Sequence, residues 1–119
     1  MATILVVEDN RANMVLAVFL LSWAGYTVLR ATDAEAGLTL ARDERPNLIL
    51  MDIQLPGMDG LEATSLLKRD DATRAIPVIA LTKRCDERRF RAAGCDGYIA
   101  KPLRYKNFLA TIATELARI

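Results

Sequence analysis

Five short apolar runs, each followed by a stretch with helical spacing, leave this chain few folds to choose from. The runs cover residues 4–7, 27–29, 48–51, 78–81 and 98–100. Most are rich in Val, Ile and Leu, the pattern of strands buried on both faces. The segments between them carry recognisable ends. Residues 10–23 run to Gly25, a C-terminal cap, and Asp33 caps a helix through about Asp43 that stops before Pro46. Asp59-Gly60 opens a third helix, with Leu61, Leu66 and Leu67 on neighbouring turns. Asp86 caps a fourth that ends at Gly94, and a fifth runs from near Tyr105 to Ala117. In that last helix Phe108, Ile112 and Leu116 fall at i, i+4 and i+8.

Strands alternating with helices over short connections predict a parallel sheet with helices on both faces. Right-handed crossovers then favour a doubly wound α/β fold of the flavodoxin-like kind, with strand order 2-1-3-4-5 and five flanking helices. At 119 residues the chain makes one domain, spanning 1–119.

Composition excludes several chemistries. The chain has no histidine, so it holds no triad base, no histidine-containing zinc site and no phosphohistidine of its own. The longest apolar stretch, residues 14–21, is too short to cross a bilayer, and the N-terminus lacks the pattern of a signal peptide. A cytoplasmic protein is expected. Cys85 and Cys95 have no metal-ligand spacing and read as free thiols that pack as small hydrophobes. Net charge is +1, but residues 1–82 carry −4 and residues 83–106 carry +5. An acidic body with a basic segment points to a charge-complementary protein partner more than to direct nucleic-acid binding. A merely solvated helix face is the alternative.

In an open parallel sheet, ligands bind beyond the carboxyl ends of the strands. Glu8 and Asp9 follow the first run, Asp52 the third, Thr82 the fourth and Lys101 the fifth. One edge therefore collects three carboxylates, a hydroxyl and an ammonium. The carboxylates repel one another, and a single lysine does not neutralise them. A hard divalent cation such as Mg²⁺, which takes oxygen ligands, is the natural remedy. One carboxylate can then serve as a nucleophile toward phosphorus. Taken singly, Asp9 can be a helix cap, Asp52 a turn residue before Pro56, Thr82 a strand-end residue and Lys101 a surface ion-pair partner. Their joint placement at strand ends favours a site.

Val6-Val7-Glu8-Asp9-Asn10, residues 50–60 (Leu-Met-Asp-Ile-Gln-Leu-Pro-Gly-Met-Asp-Gly), Ala80-Leu81-Thr82 and Lys101-Pro102 resemble the receiver domains of two-component response regulators. The likeness covers essentially the whole chain, with four motifs in order. It implies that Asp52 is phosphorylated from a histidine on a histidine kinase or histidine phosphotransfer protein. Asp9, Asp52 and the backbone carbonyl of Gln54 would hold Mg²⁺, with Glu8 reaching it mainly through water. Lys101 would contact the phosphoryl group from a cis Lys101-Pro102 peptide. Thr82 and Tyr98 match the pair that rearranges on activation, with output through the fourth helix, fifth strand and fifth helix. A monomer or weak dimer is expected. The protein would be no enzyme beyond catalysing its own phosphotransfer and slow dephosphorylation.

Two departures stand out. Lys83, followed by Arg84, occupies a position that is usually Ala or Ser, and is expected to crowd a phosphodonor; the alternative is a second cation for the phosphoryl oxygens. The stretch from Thr82 to Gly94 is about three residues short of its expected relatives, close to one helical turn. That puts the Thr82/Tyr98 switch in question. The first helix is apolar nearly all round, and a covering by its neighbours is the favoured reading, with a docking face as the alternative. A chain from Met1 to just past the fifth helix reads as a stand-alone switch, or as a receiver excised from a hybrid kinase. A degenerate receiver acting as an unphosphorylated interaction module is a further alternative. An aspartyl-phosphate phosphatase is disfavoured because it wants an acid where Gln54 stands. A flavin- or nucleotide-binding member of the fold is disfavoured because the carboxylate-rich loops would repel phosphates.

Overall fold

The computed structural model describes residues 2–84 and 86–118. Among them five strands alternate with five helices: β1 (Thr3–Val7), α1 (Arg11–Trp23), β2 (Thr27–Ala31), α2 (Ala34–Glu44) and β3 (Leu48–Asp52). Then follow α3 (Gly60–Arg69), β4 (Val78–Thr82), α4 (Glu87–Ala93), β5 (Gly97–Ala100) and α5 (Tyr105–Ala117). The strands pair in parallel in the order β2-β1-β3-β4-β5, as the alternation predicts. Ile4 lies opposite Val28 on one side and Leu48 on the other, Ile49 opposite Val78, and Ile79 opposite Gly97.

Each of the first four helices starts on a side chain that accepts from an otherwise unpaired backbone N–H. Asn10 accepts from Asn13 at 2.9 Å, Asp33 from Ala36 and Asp59 from Glu62 at 2.8 Å, and Asp86 from Arg89 at 3.3 Å. Gly94 closes α4 at φ 101°, a left-handed geometry that glycine adopts without a Cβ penalty. Arg45 closes α2 in the same left-handed region at φ 46°, just before Pro46.

Successive strand residues serve opposite cores. Ile4, Val6, Leu50, Ile79 and Leu81 pack with Leu21, Phe108 and Ile112 of α1 and α5. Leu5, Val7, Ile49, Met51 and Val78 pack with Ala41, Ala63 and Leu67 of α2 and α3. The central strands are buried on both faces, which is why their sequences run apolar without alternation. A third, smaller cluster joins Leu61, Ala80, Phe90 and Cys95 and seats α4. Cys95 is buried and free, as expected; Cys85 lies outside the described residues.

The favoured reading of α1 is not what the structure shows. Met14, Ala17, Leu20 and Leu21 are buried, but Val15, Leu16, Phe19 and Trp23 are exposed. The helix lies on one face of the sheet with α5 beside it, and nothing among the described residues covers its outer row. No helix among those residues is long and apolar enough to cross a membrane.

Candidate functional site

The residues singled out at the strand ends do meet. Glu8 and Asp9 leave the end of β1, Asp52 ends β3, Thr82 ends β4 and Lys101 follows β5. Backbone hydrogen bonds fix these ends to one another: Ile53 N–H donates to Leu81 O at 3.1 Å, and Lys101 N–H donates to Thr82 O at 2.7 Å. The Lys101-Pro102 peptide is cis, as the resemblance implied.

Glu8, Asp9 and Asp52 each offer a carboxylate oxygen within 4.8 Å of the others. Asp9 is exposed, while Glu8 and Asp52 are buried. Lys101 Nζ stands 2.8 Å from Glu8 Oε1 and 3.2 Å from Asp52 Oδ1. Asp52 Oδ1 also accepts from the Gln54 N–H at 3.1 Å, and Glu8 Oε2 accepts from the Asn10 N–H at 3.1 Å. Asn10, not Asp9, caps α1, so the reading of Asp9 as a mere cap does not hold.

The contact between Glu8 Oε1 and Lys101 is an ion pair without hydrogen-bond alignment, so this buried oxygen lacks an aligned donor. Buried acceptors of that kind call for a partner. Three carboxylates against one ammonium leave the site negative. An oxygen-only cluster with an under-satisfied buried carboxylate fits a hard cation such as Mg²⁺.

The electrostatics show the strain of three acids around one cation. Burial, then contact with Glu8, push the Asp52 carboxyl up to about 7 against the opposing pull of Lys101. Burial also raises Glu8, but contacts with Asp52, Lys101 and the Asn10 N–H outweigh it and hold Glu8 below the usual carboxylate range. Burial lowers Lys101, yet contact with Glu8 and the field of Asp52 bring its net shift upward. Of the pair, Asp52 therefore holds its proton to the higher pH.

A folded-state pKa above the unfolded one contributes stability that is complete below the unfolded value and lost as pH rises through the folded value. For Asp52 that window runs from about 4 to about 7. Glu8, shifted downward, contributes with the opposite sign. In a chelator, the thermal midpoint should therefore fall between pH 5 and pH 8. Asp52→Asn should flatten that slope and raise the midpoint at pH 8 by about 5 °C, with little change at pH 5. Melting curves of both proteins at the two pH values check this.

The buried Thr82 hydroxyl is engaged in a local turn, donating to Arg84 O and accepting from the Arg84 N–H. Tyr98 is 38% exposed, and its ring lies 6.0 Å from that of Phe90 in α4. Lys83 and Arg84 are exposed and form no ion pair among the described residues. From its sequence position Gly60 is only a helix opener. It packs so closely under β3 that a Cβ there would fall 2.1 Å from Asp52 O, a proximity that no spacing in the sequence signals.

Residues 4–113 match the family model of the response regulator receiver domain. The polar-differentiation response regulator DivK of Brucella anthropi is 47% identical over 117 residues, covering 96% of this chain and 95% of that protein. A solved structure of a putative response regulator from Chloroflexus aurantiacus superposes with a TM-score of 0.92 at 28% identity, covering 98% of each chain. The receiver domain of the Pseudomonas aeruginosa sensor histidine kinase PA1611, solved with a magnesium ion in its active-site cleft, gives 0.90 at 31% identity and 98% of each chain. The chain belongs to the response regulator receiver domain family of two-component signalling.

Proposed function

We propose that Asp52 is the phosphoacceptor of this receiver and that a phosphohistidine on a histidine kinase or phosphotransfer protein is its donor. The observation that carries the reading is a buried carboxylate at the end of β3, 3.2 Å from Lys101 Nζ and clustered with two further carboxylates. An Asp52 carboxylate oxygen attacks phosphorus as the bond from phosphorus to the donor imidazole nitrogen breaks. The electron pair leaves with that nitrogen, and Asp52 becomes an acyl phosphate. Water later cleaves the acyl phosphate, which makes the protein a timed switch and not a turnover enzyme.

Asp9, Asp52 and the Gln54 carbonyl are the residues that would hold Mg²⁺, with Glu8 reaching it through water. Bound there, Mg²⁺ supplies positive charge that offsets the acids and the phosphoryl oxygens. Lys101 neutralises a phosphoryl oxygen, and Thr82 donates a hydrogen bond to another once it leaves Arg84. Phosphorylation adds about −1.5 to −2 charges, enough to bias two packings of the β4–α5 region. Freeing Thr82 and turning Tyr98 inward from Phe90 are the local changes such a switch requires. Lys83, at the mouth of this site, crowds a bulky donor. The surface of α4, β5 and α5, with its excess of arginine and lysine, serves as the output face for an acidic protein partner.

Incubation with a small acyl-phosphate donor and Mg²⁺, followed by intact mass measurement, tests the reading. An adduct of about 80 Da is expected. It should be absent from Asp52→Asn and in the presence of a chelator. An adduct that persists in Asp52→Asn overturns the assignment.

A further inference from the structure

Lys68 lies near the end of α3, at the pole of the sheet opposite the carboxylates. Its ammonium has three N–H donors, and three acceptors meet them. Ile76 O stands at 2.8 Å, Asp96 Oδ2 at 2.9 Å and Arg74 O at 3.4 Å. Asp96 Oδ2 also accepts from the Val78 N–H at 2.9 Å, and the Asp96 N–H donates to Val78 O at 2.8 Å. One side chain thus ties α3 to the two loops that enter β4 and β5. The bond to Asp96 is charge-assisted, and the Lys68 side chain is only 20% exposed, so this is a strong tie.

α4 rests on this clasp by one end only. Its last turn closes with the Gly94 N–H on Arg91 O at 3.0 Å and the Cys95 N–H on Phe90 O at 2.9 Å. Gly94 packs on the Lys68 stem so closely that a Cβ there would fall 2.7 Å from Lys68 Cγ. Cys95 is buried, and Asp96 follows it directly. The opposite end is weakly held. Asp86 caps α4 at 3.3 Å, the longest of the four side-chain caps. Glu87 and Arg91 form an exposed pair that contributes little. Just before Asp86 in the chain, Arg84 is held through both its N–H and its C=O by the Thr82 hydroxyl.

We propose that α4 is a lever whose fixed end is the Lys68 clasp and whose other end is latched by Thr82. The inference rests on the reading above, in which Thr82 turns to a phosphoryl oxygen. Once the hydroxyl leaves Arg84, the backbone leading into Asp86 loses both bonds, and the first turn of α4 opens. The clasp stops the opening from running through the helix, because Gly94, Cys95 and Asp96 stay on α3. α4 has seven residues, about 10 Å, so one open turn removes half of it. Exposed Arg88 and Arg89 stand on that turn, while buried Phe90 stays seated. The positive charge offered to a partner therefore moves without the core below it.

Residue-resolved amide hydrogen exchange in the intact protein tests this. Arg89 and Phe90 report the first turn, and Gly94, Cys95 and Asp96 report the clasp. With a small acyl-phosphate donor and Mg²⁺, the first-turn amides should exchange at least about 10-fold faster, and the clasp amides should stay within about twofold. Thr82→Val keeps the side-chain shape without the hydroxyl, and should show the same split with no donor present. Adding Lys68→Met, which keeps the stem, or Asp96→Asn to Thr82→Val should abolish the split by speeding the clasp amides too. If the variant with Lys68→Met melts too low to measure, the one with Asp96→Asn carries the comparison. Equal acceleration of both sets in Thr82→Val overturns the fixed end, and an unchanged first turn there overturns the latch. A split that survives in the clasp variants overturns the part given to Lys68. Intact mass of the donor-treated sample reports separately whether Asp52 took a phosphoryl group, so failure of that reading is not mistaken for failure of the lever.

Discussion

Gly60→Ala should unfold at a midpoint roughly 10 °C below the parent protein and accept phosphoryl groups far more slowly, although alanine is the better helix former. Gly60 is the first residue of α3, where propensity alone would favour alanine by about 1 kcal/mol. Space decides otherwise. The added Cβ falls 2.1 Å from Asp52 O and 2.9 Å from both Asp52 C and Ile53 Cα. Those are backbone atoms at the end of β3 and of the residue after it, tied to β4 through the bond from Ile53 N–H to Leu81 O. They cannot rotate away as a flexible side chain would. Relief requires α3 to lift from β3, at a cost of about 3 kcal/mol, which outweighs the propensity gain. The same movement displaces Asp52 from Lys101. Gly57 supplies the contrast: it has φ 74° but nothing within 4 Å of an added Cβ. Gly57→Ala should cost about 1 kcal/mol of backbone strain and leave the adduct rate within about twofold. Melting curves and acyl-phosphate labelling of the two variants separate a steric cause from a conformational one.

That contrast shows what could be read from residues alone. Strand ends were legible because the apolar runs of β1, β3 and β4 break off sharply at Glu8, Asp52 and Thr82. Helix starts were legible because Asp33, Asp59 and Asp86 are good acceptors at the right offset. β2 runs two residues past its apolar core, to Ala31, because it is a sheet edge where an exposed Arg30 costs little. Helical spacing identified α1 but not its exposed row, since apolar residues all round a helix do not say which neighbours arrive. Glu8 and Asp9 are adjacent acids, and only the fold shows that the first is buried on Lys101 while the second faces outward. The shortened stretch before Gly94 was visible as a length. Its form was not: α4 is a seven-residue helix with Phe90 as its buried anchor, and Thr82 is turned onto the backbone of Arg84.

Lys101→Met should be the most destabilising change in the site at alkaline pH, and its cost should shrink as the pH falls. Methionine keeps most of the aliphatic stem, so packing along the side chain changes little. What disappears is the one cation beside two carboxylates whose side chains are 1% and 5% exposed. Leaving buried charge uncompensated costs about 3–5 kcal/mol, far above the cost of losing a surface pair. The sign with pH follows from where protons go. Without Lys101 the folded-state affinity of both carboxylates for protons rises, from below the usual range for Glu8 and from above it for Asp52, while the unfolded chain is unchanged. The folded variant therefore binds more protons than the unfolded one across the neutral range, and its stability falls as pH increases. In a chelator, the gap to the parent should be widest near pH 8 and should narrow near pH 5; saturating Mg²⁺ should recover part of it. Lys101→Arg, which keeps the charge but swaps a compact ammonium for a planar fork, should retain more stability than Lys101→Met and still label slowly. Adding Glu8→Gln to Lys101→Met should regain most of the lost stability at pH 8, because one of the two unpaired charges is gone. A double variant no more stable than Lys101→Met would mean that Lys101 stabilises the fold through its stem, and not through its charge on Glu8 and Asp52.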